Sequence, residues 1–298
     1  MTAVPTLSER LELRYPIVCA PLFLISNVEM MVASARAGIL GGVPALNYRS
    51  HDEFRGALKD IRSQTDRAFA VNLIVHSQYN PRLEEDFEAC IEYEVPALIT
   101  AFGTPASLIE RAHEKGILVF HDAIKLKHAK KAAEAGVDVV IAVSGGAGGH
   151  AGTISPFVLW PWFKKELDIP VIAAGGIATG AGVAGAMALG ADLAYVGTRF
   201  ITSPEAQVQE DYVKMILESS PEDIEYSPEV SGTHANWLKP SLERFRAGET
   251  SGNPMARWKE VWSAGHAVGL IDEAKSIEAI VEELVQDYEA ARQAMPKL

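Results

Sequence analysis

The sequence predicts a (β/α)8 TIM barrel with a small helical subdomain inserted after strand 8. Two observations carry this expectation. Short apolar runs of strand length alternate with helix-like segments at a spacing of roughly 20–30 residues, so that eight units fit into about 200 residues. The later strands also stop at glycine-rich turns, as parallel strands in βα units do.

Residues 14–20, RYPIVCA, read as the first strand, with Pro21, Leu22 and Phe23 as the loop at its tip. Small and apolar residues at helical spacing follow over Val28–Ala37, where Asn27 is placed to cap the helix and Gly38 to end it. The second strand is 39–43, and 51–63 reads as an amphipathic helix. The third strand, 69–75, is FAVNLIV. Asn72 within it is a polar residue in a buried setting, so it either meets a ligand or bonds a neighbouring loop. Helix 81–94, strand 97–100, helix 106–115, strand 117–121 and helix 125–135 continue the alternation, with Gly116 and Gly136 closing the last two helices. Strands six to eight are Val139–Val143, Val171–Ala174 and Leu193–Val196, and they run into SGGAGGH, GGIATG and GTR.

After Phe200 the alternation breaks. Residues 203–219 read as a helix, 221–250 as a stretch interrupted by Pro221, Pro228 and Pro240, and 276–295 as a last helix. The expected organisation is a barrel from 1–202 and 263–298, with 203–262 as the helical subdomain. The last helix then completes the outer ring.

With 298 residues, 48% of them hydrophobic, the chain can bury one barrel-sized core. Its net charge is −12, and residues 201–298 hold 18 acidic against 9 basic side chains. That balance argues against a broad nucleic-acid surface. No apolar run reaches membrane-spanning length, and MTAVPTLSER lacks the basic and apolar regions of a signal peptide. A cytoplasmic location is expected. Cys19 and Cys90 are far apart and form no CxxC, so neither a disulfide framework nor a zinc site is expected, and Cys19 reads as core. No HExxH, no GxSxG and no GxGxxG after the first strand appear.

Sites in such barrels form at the C-terminal ends of the strands, and phosphate sites usually follow strands seven and eight. Gly175-Gly176 and Gly197-Thr198 occupy those two places. Their backbone N–H groups and the Thr198 hydroxyl suit an anion; the plainer alternative is that the glycines only make tight turns. Arg199 follows, in a direction the sequence does not specify. SGGAGGH offers only two functional side chains, Ser144 and His150. So much glycine implies backbone pressed against something flat or bulky. His150 is the loop's one titratable group, and an imidazole accepts a proton from a weak carbon acid near neutral pH. His121-Asp122 is a second polar pair at a strand tip. It either bonds across the barrel mouth or binds substrate.

These motifs are familiar together. AGGHAG, PVIAAGGIATG, ALGAD and VGTRF resemble the nitronate monooxygenase family, formerly the 2-nitropropane dioxygenases, and the likeness extends to YPIVCAPL, FAVNL and WSAGHAVGLID. The resemblance implies an FMN-dependent barrel with a small second domain. It places His150 as the base that takes the α-proton of a nitroalkane. It sets Gly175, Gly176, Gly197 and Thr198 at the FMN phosphate. Leu22 and Asn72 match positions that contact the flavin ring, and Ser263 and Gly265 match a segment that reaches the flavin edge. Pro21, Phe23, Gly148 and Gly149 are further candidates for the cofactor, and His121, Asp122, Ser263 and Gly265 for the substrate side. The implied reaction is oxidation of an alkyl nitronate by O2 to a carbonyl compound and nitrite, with no metal. The late subdomain offers a surface for a homo-oligomer. Two other readings stand beside it: an FMN-dependent NAD(P)H reductase of a quinone or enoyl thioester, and a non-catalytic flavin- or phosphate-binding barrel. The chain departs from the family pattern in two places. Ser144-Gly145-Gly146 stands where many relatives carry Gln or Glu, and Asp122 where some carry Lys. Both departures bear on contacts to the flavin.

Overall fold

The computed structural model describes residues 5–251 and 257–296. Eight parallel strands, β1 (Ile17–Cys19), β2 (Leu40–Pro44), β3 (Phe69–Ile74), β4 (Ala97–Ala101), β5 (Leu118–Ala123), β6 (Val139–Val143), β7 (Val171–Ala174) and β8 (Leu193–Val196), close into a barrel in chain order. Closure is made by β8 on β1, with Val18 opposite Tyr195. Among the described residues no helix is long and apolar enough to cross a membrane.

Strand alternation sorts the side chains into two apolar layers. Val18, Leu40, Ala70, Ile99, Phe120, Ile141, Ile172 and Leu193 fill the barrel interior. Cys19, Val71, Leu98, Val119, Val140, Ala173 and Ala194 face outward against the helices. Burying each large aliphatic or aromatic side chain stabilises the fold by roughly 1.5–3 kcal/mol. Cys19 belongs to the outer layer, and burial pushes its thiol up to about 12, which leaves it unreactive.

The same alternation positions the site. Asn72 stands two residues after Ala70, Asp122 two after Phe120 and Tyr195 two after Leu193, so all three turn inward in the last layer before the mouth.

The helices form the outer ring. In Val28–Ala37 the Asn27 side chain accepts from the Met30 N–H and Gly38 ends the helix at φ 78°. The last helix, Ile277–Ala294, packs against Gly180–Ala188. A Cβ at Gly180 would run into the Leu284 carbonyl and the Tyr288 nitrogen, so glycine permits the close crossing.

The insertion differs from the expectation in two respects. Residues 203–219 are not one helix: a 3-10 turn at Pro204–Ala206 ends at Gln207, whose φ of 52° breaks the chain direction before the helix Glu210–Glu218. Residues 221–250 hold an antiparallel hairpin, β9 (Ile224–Ser227) with β10 (Ala235–Leu238), and the helix Lys239–Arg246. The insertion is therefore mixed rather than purely helical. Its hairpin is too short to announce itself by alternation. It is held by Trp237, which is fully buried with Val230, Ala235, Leu242 and Val261 and donates to the Ser227 carbonyl at 3.0 Å.

Candidate active site

A cavity of about 1040 Å³ opens at the C-terminal ends of the strands. The barrel supplies its floor and one wall, including Pro21, Leu22, Phe23, Asn72, Asp122, Gly175, Gly176, Gly197 and Thr198. The loop after β6 adds Gly148, Gly149 and His150, and the insertion with the segment after it adds Ser231, Trp258, Trp262 and Ser263. Two predicted residues stand off. His121 alternates to the outside of β5, where its Nδ1 lies 2.8 Å from Thr100 Oγ1, and it does not line the cavity. Gly265 sits behind the cavity wall.

The glycine-rich loop is pressed mainly against the protein's own backbone. A Cβ at Gly146 would come within 3.1 Å of the Gly176 nitrogen, and one at Gly148 within 3.0 Å of Ala264 and Gly265. At Gly265 it would strike the Gly146 carbonyl and lie 2.8 Å from the Gly148 nitrogen. Three groups pin this loop. Asn236 on β10 donates from Nδ2 to the carbonyls of Gly145 (3.1 Å) and Ala147 (2.6 Å), and its own N–H donates to Gly149 O (2.9 Å). Ser263 Oγ accepts from the Gly149 N–H at 2.6 Å while donating to Asn236 O. Ser144, which is fully buried, donates to the Ala174 carbonyl. Ser144 is thus a tie between β6 and β7.

His150 leaves this loop at its far end. Its ring stands edge-on between Phe102 (5.2 Å) and Trp258 (5.3 Å). Nε2 lies 3.3 Å from Ser231 Oγ, and that hydroxyl donates to Thr233 O at the shorter distance of 2.9 Å. Ser231 therefore meets Nε2 as an acceptor, which places the ring proton on Nε2 and leaves Nδ1 as the basic nitrogen. Burial holds the imidazole down at about 4, so it is neutral at pH 7.

On the floor, Asn72 donates from Nδ2 to Ile99 O at 3.0 Å, which leaves its side-chain oxygen for the cavity. Asp122 has no such anchor: its Oδ1 is closed to solvent and without a hydrogen-bond partner, and burial raises its acid to about 7. At the rear, Gly175 and Gly176 take φ of 112° and 76°. A Cβ at Gly176 would meet nothing within 4 Å, so the turn presents bare backbone to open space. Thr198 Oγ1 accepts from the Gly265 N–H (2.9 Å) and keeps its own proton free to give. Arg199 turns away. It is buried and donates to Glu273 O (2.9 Å) and Thr202 Oγ1 (3.3 Å) and pairs with Glu283 (3.2 Å). The turns after β7 and β8 therefore offer an anion dipoles and a hydroxyl, without a guanidinium.

Comparison with known proteins agrees with this architecture. The nitronate monooxygenase family matches residues 5–245. The chain belongs to that family. A nitronate monooxygenase of Paraburkholderia phytofirmans is 30% identical over 87% of this chain and 83% of its own length. An octahydro-indene-carboxyl-CoA dehydrogenase of Rhodococcus jostii is also 30% identical, over 83% of this chain and 68% of its own. Among solved structures, FabK from Thermotoga maritima superposes with a TM-score of 0.86 at 30% identity, covering 98% of both chains. This member of the nitronate monooxygenase family is a flavin-dependent oxidoreductase.

Several residues that shape this family member's site escape a reading of strand tips. Asn47 clamps the loop after β1: its Oδ1 accepts from Leu24 N (2.7 Å) and its Nδ2 donates to the carbonyls of Leu22 (3.1 Å) and Ser26 (2.8 Å). That clamp holds Leu24 at a left-handed φ of 62°. Tyr79 and Phe102 build one aromatic wall, 5.8 Å apart, and Phe23 and Trp258 another at 5.9 Å. Asn236, Ser231 and Trp258 come from the insertion, where no strand tip of the barrel marks them. His234, within the insertion, and His266, just after it, do not line the cavity.

Proposed function

We propose that this chain is an FMN enzyme that oxidises alkyl nitronates with O2, giving a carbonyl compound and nitrite. The observation that carries the reading is His150, a neutral imidazole with a free Nδ1 at the wall of a cavity large enough for a cofactor and a substrate together. The bare Gly176 backbone and the unused Thr198 proton fit the phosphate of FMN; Asn72 and the loop from Pro21 to Phe23 fit the ring system. When bound, the flavin supplies the electron-accepting ring, and the protein positions and polarises around it.

The chain's own residues do the rest. His150 accepts the α-proton of a neutral nitroalkane at Nδ1, while Ser231 keeps the Nε2 proton engaged and the ring oriented. Phe102 and Trp258 pack against the imidazole in T-shaped contacts and help hold its orientation. Apolar walls lower the local dielectric, which strengthens each remaining polar contact.

Changing His150→Ala should cut turnover of a neutral nitroalkane by roughly 10²–10⁴-fold, the usual worth of a general base. Turnover of the preformed nitronate, which needs no base, should change far less. Equal losses on both substrates would remove the base role. The likeness to a CoA dehydrogenase and to FabK keeps a second reading in play, an NAD(P)H-dependent reductase of a quinone or enoyl thioester. Anaerobic mixing separates the two. Bleaching of the flavin by nitronate supports the oxidase; rapid bleaching by NADH, with none by nitronate, supports the reductase.

A further inference from the structure

We propose that Asp122 holds a proton on the cavity floor and donates it in a hydrogen bond to the bound flavin, so that loading the site takes up one proton. The inference rests on the flavin reading above and adds a residue and a proton to it.

Three observations converge on this carboxyl. First, its register is inward: Asp122 lies opposite Ile141 on β6 and two residues beyond the core residue Phe120, so it caps the barrel interior beneath the cavity. Second, no hydrogen bond or ion pair reaches either oxygen among the described residues, and Oδ1 is shut off from solvent. The carboxyl meets the cavity through its remaining oxygen. Third, burial alone raises its acid, and among the described residues no cation pairs with it; Lys259 stands at the cavity rim. His121 beside it turns outward to Thr100. His150 above is neutral, Arg199 is spent on Glu283, and Arg257 at the rim donates to Val230 O. On β6 it lies opposite Ile141, and from β8 it is felt by the Tyr195 phenol, whose own ionisation is pushed well up by burial and by Asp122.

An ionised carboxylate here would be desolvated, uncompensated and costly. Burial already raises the acid to about 7 in the open cavity, and a ring laid over it removes still more water. A protonated carboxyl can donate as well as accept. The pyrimidine edge of a flavin presents carbonyl and imine acceptors, which suits a donor and repels a carboxylate. The sign of the linkage follows. Below about pH 7 the proton is already in place and affinity is level; above it, each pH unit weakens binding by up to about tenfold.

Riboflavin is the probe of choice, because it lacks the phosphate that titrates in FMN. Its dissociation constant is measured between about pH 6 and pH 8.5 for the unmodified protein and for Asp122→Asn, whose amide donates at every pH. The expected result is a level constant up to about pH 7, a rise approaching tenfold per unit above it, and a flat profile for the variant. In the unmodified protein, an indicator dye in weak buffer at about pH 8 should register uptake approaching one proton per riboflavin bound, a measurement that does not depend on the variant folding. A flat profile in the unmodified protein, the same slope in Asp122→Asn, or proton release on binding overturns the proposal. If neither riboflavin nor FMN binds at any pH, the flavin reading falls with it; flavin bound with no proton taken up sinks the Asp122 role alone.

Discussion

Asn236 is the residue on which the glycine-rich loop most depends, and Asn236→Ala tests that dependence. The side chain is 2% exposed and gives both amide protons to loop carbonyls, Gly145 O at 3.1 Å and Ala147 O at 2.6 Å. Two carbonyls bound from one nitrogen also fix the amide orientation, since the flipped oxygen would face two acceptors. Truncation strands both carbonyls. Each buried unsatisfied group costs about 1–3 kcal/mol. Ala147 borders the cavity, where water can recover part of its loss, so the total comes to roughly 2–4 kcal/mol. At 2–4 °C per kcal/mol for a domain near this size, Tm should fall by roughly 4–16 °C. Hydrogen exchange should speed up at 145–149 more than in the strands, because the loop opens locally before the barrel does. Asn236→Asp is the sharper case: a carboxylate aimed at two carbonyls should destabilise more than alanine. Thermal unfolding followed by circular dichroism measures both. A fall of under about 2 °C for the alanine variant, or an aspartate variant as stable as wild type, would refute the pinning argument.

Three further outcomes follow from the structure. Gly265→Ala drives a Cβ into the Gly146 carbonyl and to 2.8 Å from Gly148 N, so it should lower the yield of folded protein and its flavin content together. Gly176→Ala meets no protein atom, so its stability loss should stay near the 1–2 kcal/mol of a left-handed residue while flavin affinity drops at least tenfold; Tm and flavin titration compare the pair. Burial holds His121 and His150 at about 4, below the unfolded value near 6.5, so the unfolded chain binds more protons. Their contribution to stability is complete above pH 6.5 and is lost as pH falls towards 4, by at most about 3 kcal/mol for each and less for His150, which borders the cavity. Urea unfolding should show a weaker pH dependence over that window for His121→Gln than for wild type.

The barrel was legible because its signals are local. Val139–Val143, Val171–Ala174, Leu193–Val196 and Val28–Ala37 match their sequence-derived bounds to the residue, since each is an apolar run closed by a glycine, a cap or a charged turn. The insertion was harder to read because its order comes from tertiary contacts. ANWL and IEYS are four residues each, and what makes them strands is Trp237 packed among residues up to Val261. His121 and Asp122 show the finer limit. Adjacent polar residues at a strand tip look alike in sequence, yet a parity of one sends the first to Thr100 outside and the second to the cavity floor. Counting from Phe120 as an interior residue would have separated them.

The glycines carry a related lesson about charge. Rows of glycine beside a histidine suggest backbone yielding to a ligand, yet most of the close approaches here are between the loop, the turn after β7 and the segment 263–266. At the turn after β7, a Cβ on Gly176 would meet no described atom within 4 Å, whereas one on Gly175 would strike Ser144 and Ala147. With Arg199 committed to Glu273, Thr202 and Glu283, a phosphate seated there is held by N–H groups and one hydroxyl. Such a seat attracts the anion by dipoles that act only at contact range. Across a chain of net charge −12, this arrangement favours binding through fit over long-range steering, so affinity for FMN should depend little on ionic strength. Flavin titration at low and high salt checks the point. A tenfold loss of affinity between them would mean that a cation reaches the phosphate after all, and Arg257 and Lys259 at the cavity rim would be the residues to change first.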